Sequence, residues 1–207
     1  MPMVLAVADA KAHDVVAAAG RGDVVALRRL LDAGAAVNGR DAQGRNALLA
    51  ATQGGHVEAV RLLISRGGDV NAQADNRDSA FLLAGAEGHT QIVRLALAAG
   101  ADLKSTNRYG GTALIPACHH GHVETVRVLL EAGVAVDHVN NLGWTALLEA
   151  VILGDGSARY ADIVRLLIAH RANLNLPDRQ GIAALAHAEQ RGQHVISALL
   201  RGAGARP

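Results

Sequence analysis

Residues 117–126 read ACHHGHVETV and place the chain's only cysteine, Cys118, beside His119, His120 and His122. Thiolate and imidazole are preferred zinc ligands, and a thiol next to an imidazole is also the elementary pair of cysteine nucleophiles. A second pattern is a row of arginines, Arg28, Arg61, Arg94, Arg127 and Arg165, which would suit a phosphate-binding track. Short glycine stretches at 20–22, 54–55 and 154–156 invite a phosphate-loop reading, but none fits G-x-x-x-x-G-K-[ST]. No Gly-x-Ser-x-Gly elbow and no His-Glu-x-x-His occurs, and carboxylates such as Glu131 and Glu149 read as surface charges.

What positions these residues is a repeat, and the repeat changes their meaning. Gly22, Gly55, Gly88 and Gly121 lie 33 residues apart, as do Gly34, Gly67, Gly100 and Gly133. Between them runs one outline: GDVVALRRLLDAGAAVNG from Gly22, GHVEAVRLLISRGGDVNA from Gly55, GHTQIVRLALAAGADLKS from Gly88 and GHVETVRVLLEAGVAVDH from Gly121. RYADIVRLLIAHRANLNL from Arg159 continues it with a five-residue shift, and GQHVISALLRGAGA from Gly192 closes it. Upstream of these blocks stand GRNALLAAT, RDSAFLLAG, GGTALIPAC, GWTALLEAV and GIAALAHAE. Asn46, Ser79, Thr112 and Thr145 share one position there, and each side-chain oxygen is suited to accept an orphan N–H at a helix start. A short apolar helix follows, then a glycine able to take the left-handed conformation that ends it. A second helix carries apolar residues at i, i+3 and i+4, such as Val57, Val60, Leu63 and Ile64. Pro116 lies in the first turn of its helix and is expected to tighten or bend that end.

The period of 33 residues, the GH step, VRLLI, GADL and DVNA make the chain resemble the ankyrin-repeat family, and small stand-alone bacterial members in particular. The resemblance spans about residues 8–207. It implies an all-α solenoid of helix–loop–helix units joined by β-turn or hairpin-like tips, in one domain over 1–207. The units fall at about 8–40, 41–73, 74–106, 107–139, 140–177 and 178–207, the outer two acting as caps. Polar Glu189, Gln190, Arg191 and Gln193 suit an end with no further neighbour. The segment LGDGSARYAD at 153–162 is expected to lengthen the loop inside the fifth unit. Where the family carries a histidine after its Thr-Pro-Leu phrase, this chain has Ile115 or Leu148, so that row should pack by apolar contact.

Within this frame Cys118 takes a buried small-residue position, aligned with Thr52 and Gly85. His122 is one of three equivalent histidines with His56 and His89, which points to a repeated loop bond. Glu58, Glu124 and Asp162 each precede an arginine of the row by three residues, as in a solvated, ion-paired helix face. The resemblance implies non-catalytic protein binding through the concave face and the turn tips. Arg77, Arg108, Tyr109, Leu142 and Trp144 are the expected contact residues, because Tyr, Trp and Arg dominate interface hot spots. The alternative is a metal- or redox-responsive protein using Cys118, His119 and His120.

Bulk composition agrees with stacked helices. Half the residues are hydrophobic while aromatics are 2%, which suits tight helix stacking on aliphatic side chains. The net charge of +1, from 20 basic and 19 acidic residues, supplies no bulk attraction to nucleic acid or anionic membranes. One cysteine excludes an intramolecular disulfide, and no apolar run reaches the roughly 18 residues of a membrane span. No cofactor is implied, and the expected partner is another protein engaged by a monomer. The run Val4–Ala8 fits either an ordinary cytoplasmic N-terminus or the remnant of a trimmed export signal, which would place the protein in the periplasm.

Overall fold

A computed structural model describes residues 12–206; the Val4–Ala8 run lies outside the described residues. The described chain is helical, with a single isolated bridge, Arg40 to Asn46, in place of any strand. The helices are α1 (12–20), α2 (Val24–Asp32), α3 (Ala47–Gln53), α4 (Val57–Ser65), α5 (Ala80–Ala86), α6 (Thr90–Ala98), α7 (Leu114–His119), α8 (Val123–Glu131), α9 (Ala146–Ile152), α10 (Ala158–Ala169), α11 (Ala184–Gln190) and α12 (His194–Gly202). The chain falls into two compact units. The first holds the described residues to Ala84 with Gln91–Asp102, and the second holds Gly85–Thr90 with Leu103 onward.

Most helices have six to nine residues, too few to persist alone in water. They form because each buries its apolar side against its partner and against the neighbouring pair. In the first unit α2 packs on α4 and α3 on α4; in the second, α7, α9 and α11 stack in one row and α8, α10 and α12 in another. The core is mainly aliphatic, with Leu27, Leu48, Leu63 and one aromatic ring, Phe81, in the first unit and Leu114, Leu129, Leu148, Ile163, Leu167, Leu185 and Ile196 in the second. Ile115 and Leu148 are both buried, so the row that lacks histidine does close by apolar contact.

One polar bond recurs between successive pairs. The ring of His56 bonds the Gly20 carbonyl at 3.1 Å, and that of His122 bonds the Ala86 carbonyl at 3.1 Å. By the repeat register of the sequence Tyr160 stands at the same place, and its hydroxyl donates to the His119 carbonyl at 2.7 Å. Further on, at the equivalent position, the Gln193 amide donates to the carbonyls of Val151 and Gly154. Each acceptor is at or just past the C-terminus of a first helix, where carbonyls have no intrahelical partner. Gln193 is therefore buried, contrary to its expected place on the polar end. Gly22 and Gly88 combine φ of 68° and 71° with an imidazole lying where a Cβ would be, 2.6 Å and 2.5 Å from its nearest atom.

Three features depart from expectation. Asn46, Ser79 and Thr145 do cap their helices, accepting from Leu49, Leu82 and Leu148. Thr112 does not. Pro116 has no N–H to offer the Thr112 carbonyl, so the Ile115 N–H turns to that carbonyl, and the buried Thr112 hydroxyl is left unbonded. Helix α7 accordingly starts late, at Leu114. The five-residue insertion is only partly loop: α10 begins at Ala158 and runs 12 residues, because Ala158, Arg159 and Tyr160 are compatible with helix and Ser157 supplies an extended entry. Finally, Arg171 takes the left-handed conformation (φ 62°) that glycine takes at Gly34, Gly67 and Gly133.

Two stabilising substitutions follow from these defects. Pro116→Ala restores an N–H to the Thr112 carbonyl and frees Ile115 to be capped, a gain of about 1 kcal/mol. Arg171→Gly relieves a left-handed non-glycine residue and is expected to add about 1 kcal/mol. Both are checked by the urea midpoint of unfolding at constant slope, and a midpoint at or below the parent's would refute the corresponding account.

Candidate partner-binding surface

The tips between units share a geometry set by one residue. Asp41, Asn107, Asn140 and Asp178 each begin a turn in which their own N–H donates to the carbonyl four residues on, and the N–H three residues on donates back. Their side-chain oxygens then accept two more N–H groups, at i+2 and i+4: Gln43 and Arg45, Tyr109 and Gly111, Leu142 and Trp144, Gln180 and Ile182. An Asx side chain substitutes here for a neighbouring strand and makes the turn rigid. The tip at 74–78 lacks it. Ala74 stands at the first position, and Arg77 holds the left-handed φ of 66° that Gly44, Gly110 and Gly143 hold elsewhere. There the Gln73 amide donates to the Arg77 carbonyl at 2.7 Å, and Asn76 accepts from the Asp78 N–H.

In the second unit the tips at 107–111, 140–144 and 178–182 join edge to edge. The Asn141 N–H donates to the Tyr109 carbonyl at 2.9 Å, and the Arg179 guanidinium donates to the Asn141 carbonyl. This brings Tyr109, 53% exposed, and Leu142, 49% exposed, onto adjoining turns beside exposed Arg108. The Arg108 guanidinium carbon sits 4.6 Å from the Tyr109 ring centroid, a cation–π distance. Val139, also 49% exposed, extends the apolar surface. Trp144 is half-buried, so part of its indole is committed to the fold. Arg77 is exposed and belongs to the first unit.

Beneath the 140–144 tip is a polar cluster that changes two readings. Glu149, expected at the surface, is 5% exposed. It accepts from the Asn140 side-chain amide at 2.9 Å, and its other oxygen is 3.6 Å from His119 Nδ1. Burial pushes its carboxyl up to about 7, against the lowering effect of the Asn140 bond. The same nine-residue link recurs one unit on, where His187 bonds the buried Asp178 at 2.7 Å. Asp178 stays below the ordinary carboxylate value: burial raises it, but the N–H groups of Ile182 and Gln180 and the His187 contact outweigh that.

The cysteine–histidine run is divided among structural tasks. Cys118 is fully buried, and burial together with the Glu149 charge pushes its thiol far up, which suppresses the thiolate needed for attack or ligation. His119 stacks on His120 at 4.3 Å, and burial, helped by the charge of His120, lowers its pKa. Among the described residues no group of three or more His, Cys, Asp or Glu is placed to hold a metal ion. Within the arginine row, Arg61, Arg127 and Arg165 are ion-paired, meeting Glu58, Glu124 and Asp162 at 3.6, 3.3 and 2.6 Å. No helix among the described residues is long and apolar enough to cross a membrane.

The three-copy ankyrin-repeat family model matches residues 13–74 and 80–178. The chain belongs to the ankyrin-repeat family. A crystallised ankyrin repeat domain of Acinetobacter baumannii is 52% identical, with a TM-score of 0.90 over 93% of this chain and 98% of that one. An ankyrin repeat protein of Enterococcus is 38% identical, with a TM-score of 0.88 over 94% of this chain and 98% of that one. No curated protein matches the chain. Ankyrin repeats are generally protein-interaction modules and generally non-enzymatic. In this ankyrin protein, the Asx residues that head the tips carry no motif of their own, and Glu149, expected at the surface, is buried. The recurrence of Asp41, Asn107, Asn140 and Asp178 at the head of four tips is the signal for the first group.

Glu149 makes a pH prediction. An unfolded glutamate releases its proton near 4.5, while the folded carboxyl holds it to about 7. Between those values the native state binds more protons than the unfolded chain, so this group's contribution is complete below the lower value and is lost as pH rises through the upper one. Relative to the parent, Glu149→Gln should shrink the loss of unfolding free energy between pH 5 and pH 8 by about 1–3 kcal/mol. Parallel urea titrations at the two pH values measure it, and identical losses in parent and variant would clear Glu149 of the effect.

Proposed function

We propose that this ankyrin protein is a non-catalytic binding module for another protein, which it meets through its tips. Arg108, Tyr109, Leu142 and Trp144 form the contact surface of the second unit, and Arg77 is the exposed contact residue of the first unit taken by itself. The observation that carries this reading is the pair of exposed apolar side chains, Tyr109 and Leu142, on turns joined by the Asn141 to Tyr109 bond. Large exposed apolar groups on rigid backbone lose little entropy when covered, so a few anchors supply affinity.

The charge of the surface describes its partner. Loops 105–111, 138–144 and 176–182 carry Arg108 and Arg179, and their one acid, Asp178, is buried against His187. An acidic protein segment with an apolar side chain at its centre complements this arrangement. Tyr109→Ala and Leu142→Ala are each expected to weaken the complex at least about tenfold, the scale of a hot-spot residue, with melting temperature unchanged. Trp144→Ala should cost binding and stability together, because its indole is partly buried. Affinity capture from native lysate supplies the partner, and surface plasmon resonance supplies the constants. A partner whose affinity is indifferent to Tyr109→Ala and Leu142→Ala would refute this surface.

A further inference from the structure

The Asn140 amide faces two ways. Its oxygen takes the Leu142 and Trp144 N–H groups at 2.9 and 3.0 Å, and its nitrogen donates to Glu149 at 2.9 Å. We propose that Glu149 is a pH-sensitive positioning residue for the 140–144 tip: its carboxylate locks Asn140 in the orientation that holds the turn, and its neutral form releases that lock. The inference rests on this tip belonging to the binding surface proposed above, and it concerns the regulation of that surface.

The chemistry lies in donor and acceptor counting. A carboxylate only accepts, so Asn140 must turn its NH2 toward Glu149, which leaves its oxygen for the two backbone N–H groups. A carboxylic acid carries an O–H that is able to donate to the Asn140 oxygen. That alternative flips the amide and takes the oxygen from Leu142 and Trp144. The charged acceptor also makes the stronger bond. Burial brings the carboxyl to about 7, which puts the change within the physiological range.

Other ionisable groups around Glu149 do not compete for this role. From α7 come His119, whose Nδ1 lies 3.6 Å from the other Glu149 oxygen and whose pKa is lowered by burial and then by the charge of His120 stacked on it, and the buried Cys118 thiol. From α10, the Tyr160 hydroxyl is engaged by the His119 carbonyl, Arg159 pairs with Asp155, and Asp162 with Arg165. From α11, His187 is bonded to Asp178 and Glu189 to Arg201. The neighbouring tip supplies an internal control. Asn107 holds Tyr109 and Gly111 through the same two bonds, and Pro116 occupies the place that Glu149 occupies one unit later.

The experiment is amide hydrogen exchange by NMR on the full chain without partner, corrected for intrinsic rates, between pH 6 and 8.5. Protection at Leu142 and Trp144 should rise about tenfold as pH passes through the Glu149 transition, as a strengthened charge-assisted bond requires. Protection at Tyr109 and Gly111 should stay level. Glu149→Gln should abolish the rise, and so should Asn140→Asp, whose carboxylate has no N–H to donate to Glu149. A flat profile at Leu142 and Trp144 in the parent, or a rise that survives Glu149→Gln, would overturn the proposal. Exchange needs no partner, so that failure leaves the binding reading intact. An unchanged affinity in Tyr109→Ala and Leu142→Ala with the exchange response present would overturn the binding reading alone.

Discussion

A short first helix leaves its last carbonyls unpaired, and the next helix pair supplies the missing donor. His56, His122, Tyr160 and Gln193 perform this task with three different side chains, which shows that the position selects for reach and an N–H or O–H donor rather than for imidazole. The bond meets an orphan group that would otherwise cost about 1–3 kcal/mol where it is buried. It also sets the distance between successive pairs, and hence the register in which their aliphatic faces meet. Gly22 and Gly88 belong to the same contact, since a side chain there would occupy the imidazole's place.

A second set of bonds holds the links. Asn38 donates to the Gly67 carbonyl and accepts from the Asp69 N–H, and Asn71 repeats both bonds with Gly100 and Asp102. Asp137 accepts from the Asn173 N–H, and Asn175 from the Arg206 N–H. With the Asx residues at the head of four tips, these bonds hold the irregular segments without a sheet. Rigid tips are the feature that protein recognition needs, since a surface already ordered loses less entropy when it binds. The exceptions are informative for the same reason. The 74–78 tip gives up its Asx residue and places arginine where glycine is easier, so its conformation depends more on Gln73 and Asn76.

The cluster under the 140–144 tip shows how a repeat acquires individuality. The position of Glu149 is Ala50, Leu83 and Pro116 in earlier units and His187 in the next. In two units a titratable group here reaches the tip residue nine positions earlier, Asn140 or Asp178. The outcomes are opposite because the environments are. Asp178 receives two backbone N–H groups and an imidazole, which favour its charge, whereas Glu149 receives one amide and is raised by burial. The histidines that first suggested a ligand cluster are, in the folded chain, a stacking pair and an inter-unit donor.

The sequence by itself determined the architecture, because a spacing of 33 residues, capping side chains and paired glycines are local signals that each unit repeats. It determined the caps at Asn46, Ser79 and Thr145, the ion pairs of the arginine row and the burial of Cys118 for the same reason. It also located the exposed Tyr109 and Leu142, since turn positions follow from the period. Only the tertiary structure decided what depends on the neighbouring unit. The burial of Glu149 comes from α7 and α11 closing over α9, and a lone glutamate in a short helix carries no mark of that. The burial of Gln193 comes from two carbonyls offered by residues about 40 positions earlier. The loss of the Thr112 cap required knowing which carbonyl Pro116 left unpaired and which N–H moved to fill it. In each case the deciding partner is remote in sequence or is chosen by competition among hydrogen bonds, and a pattern of residue types does not encode the result of that competition.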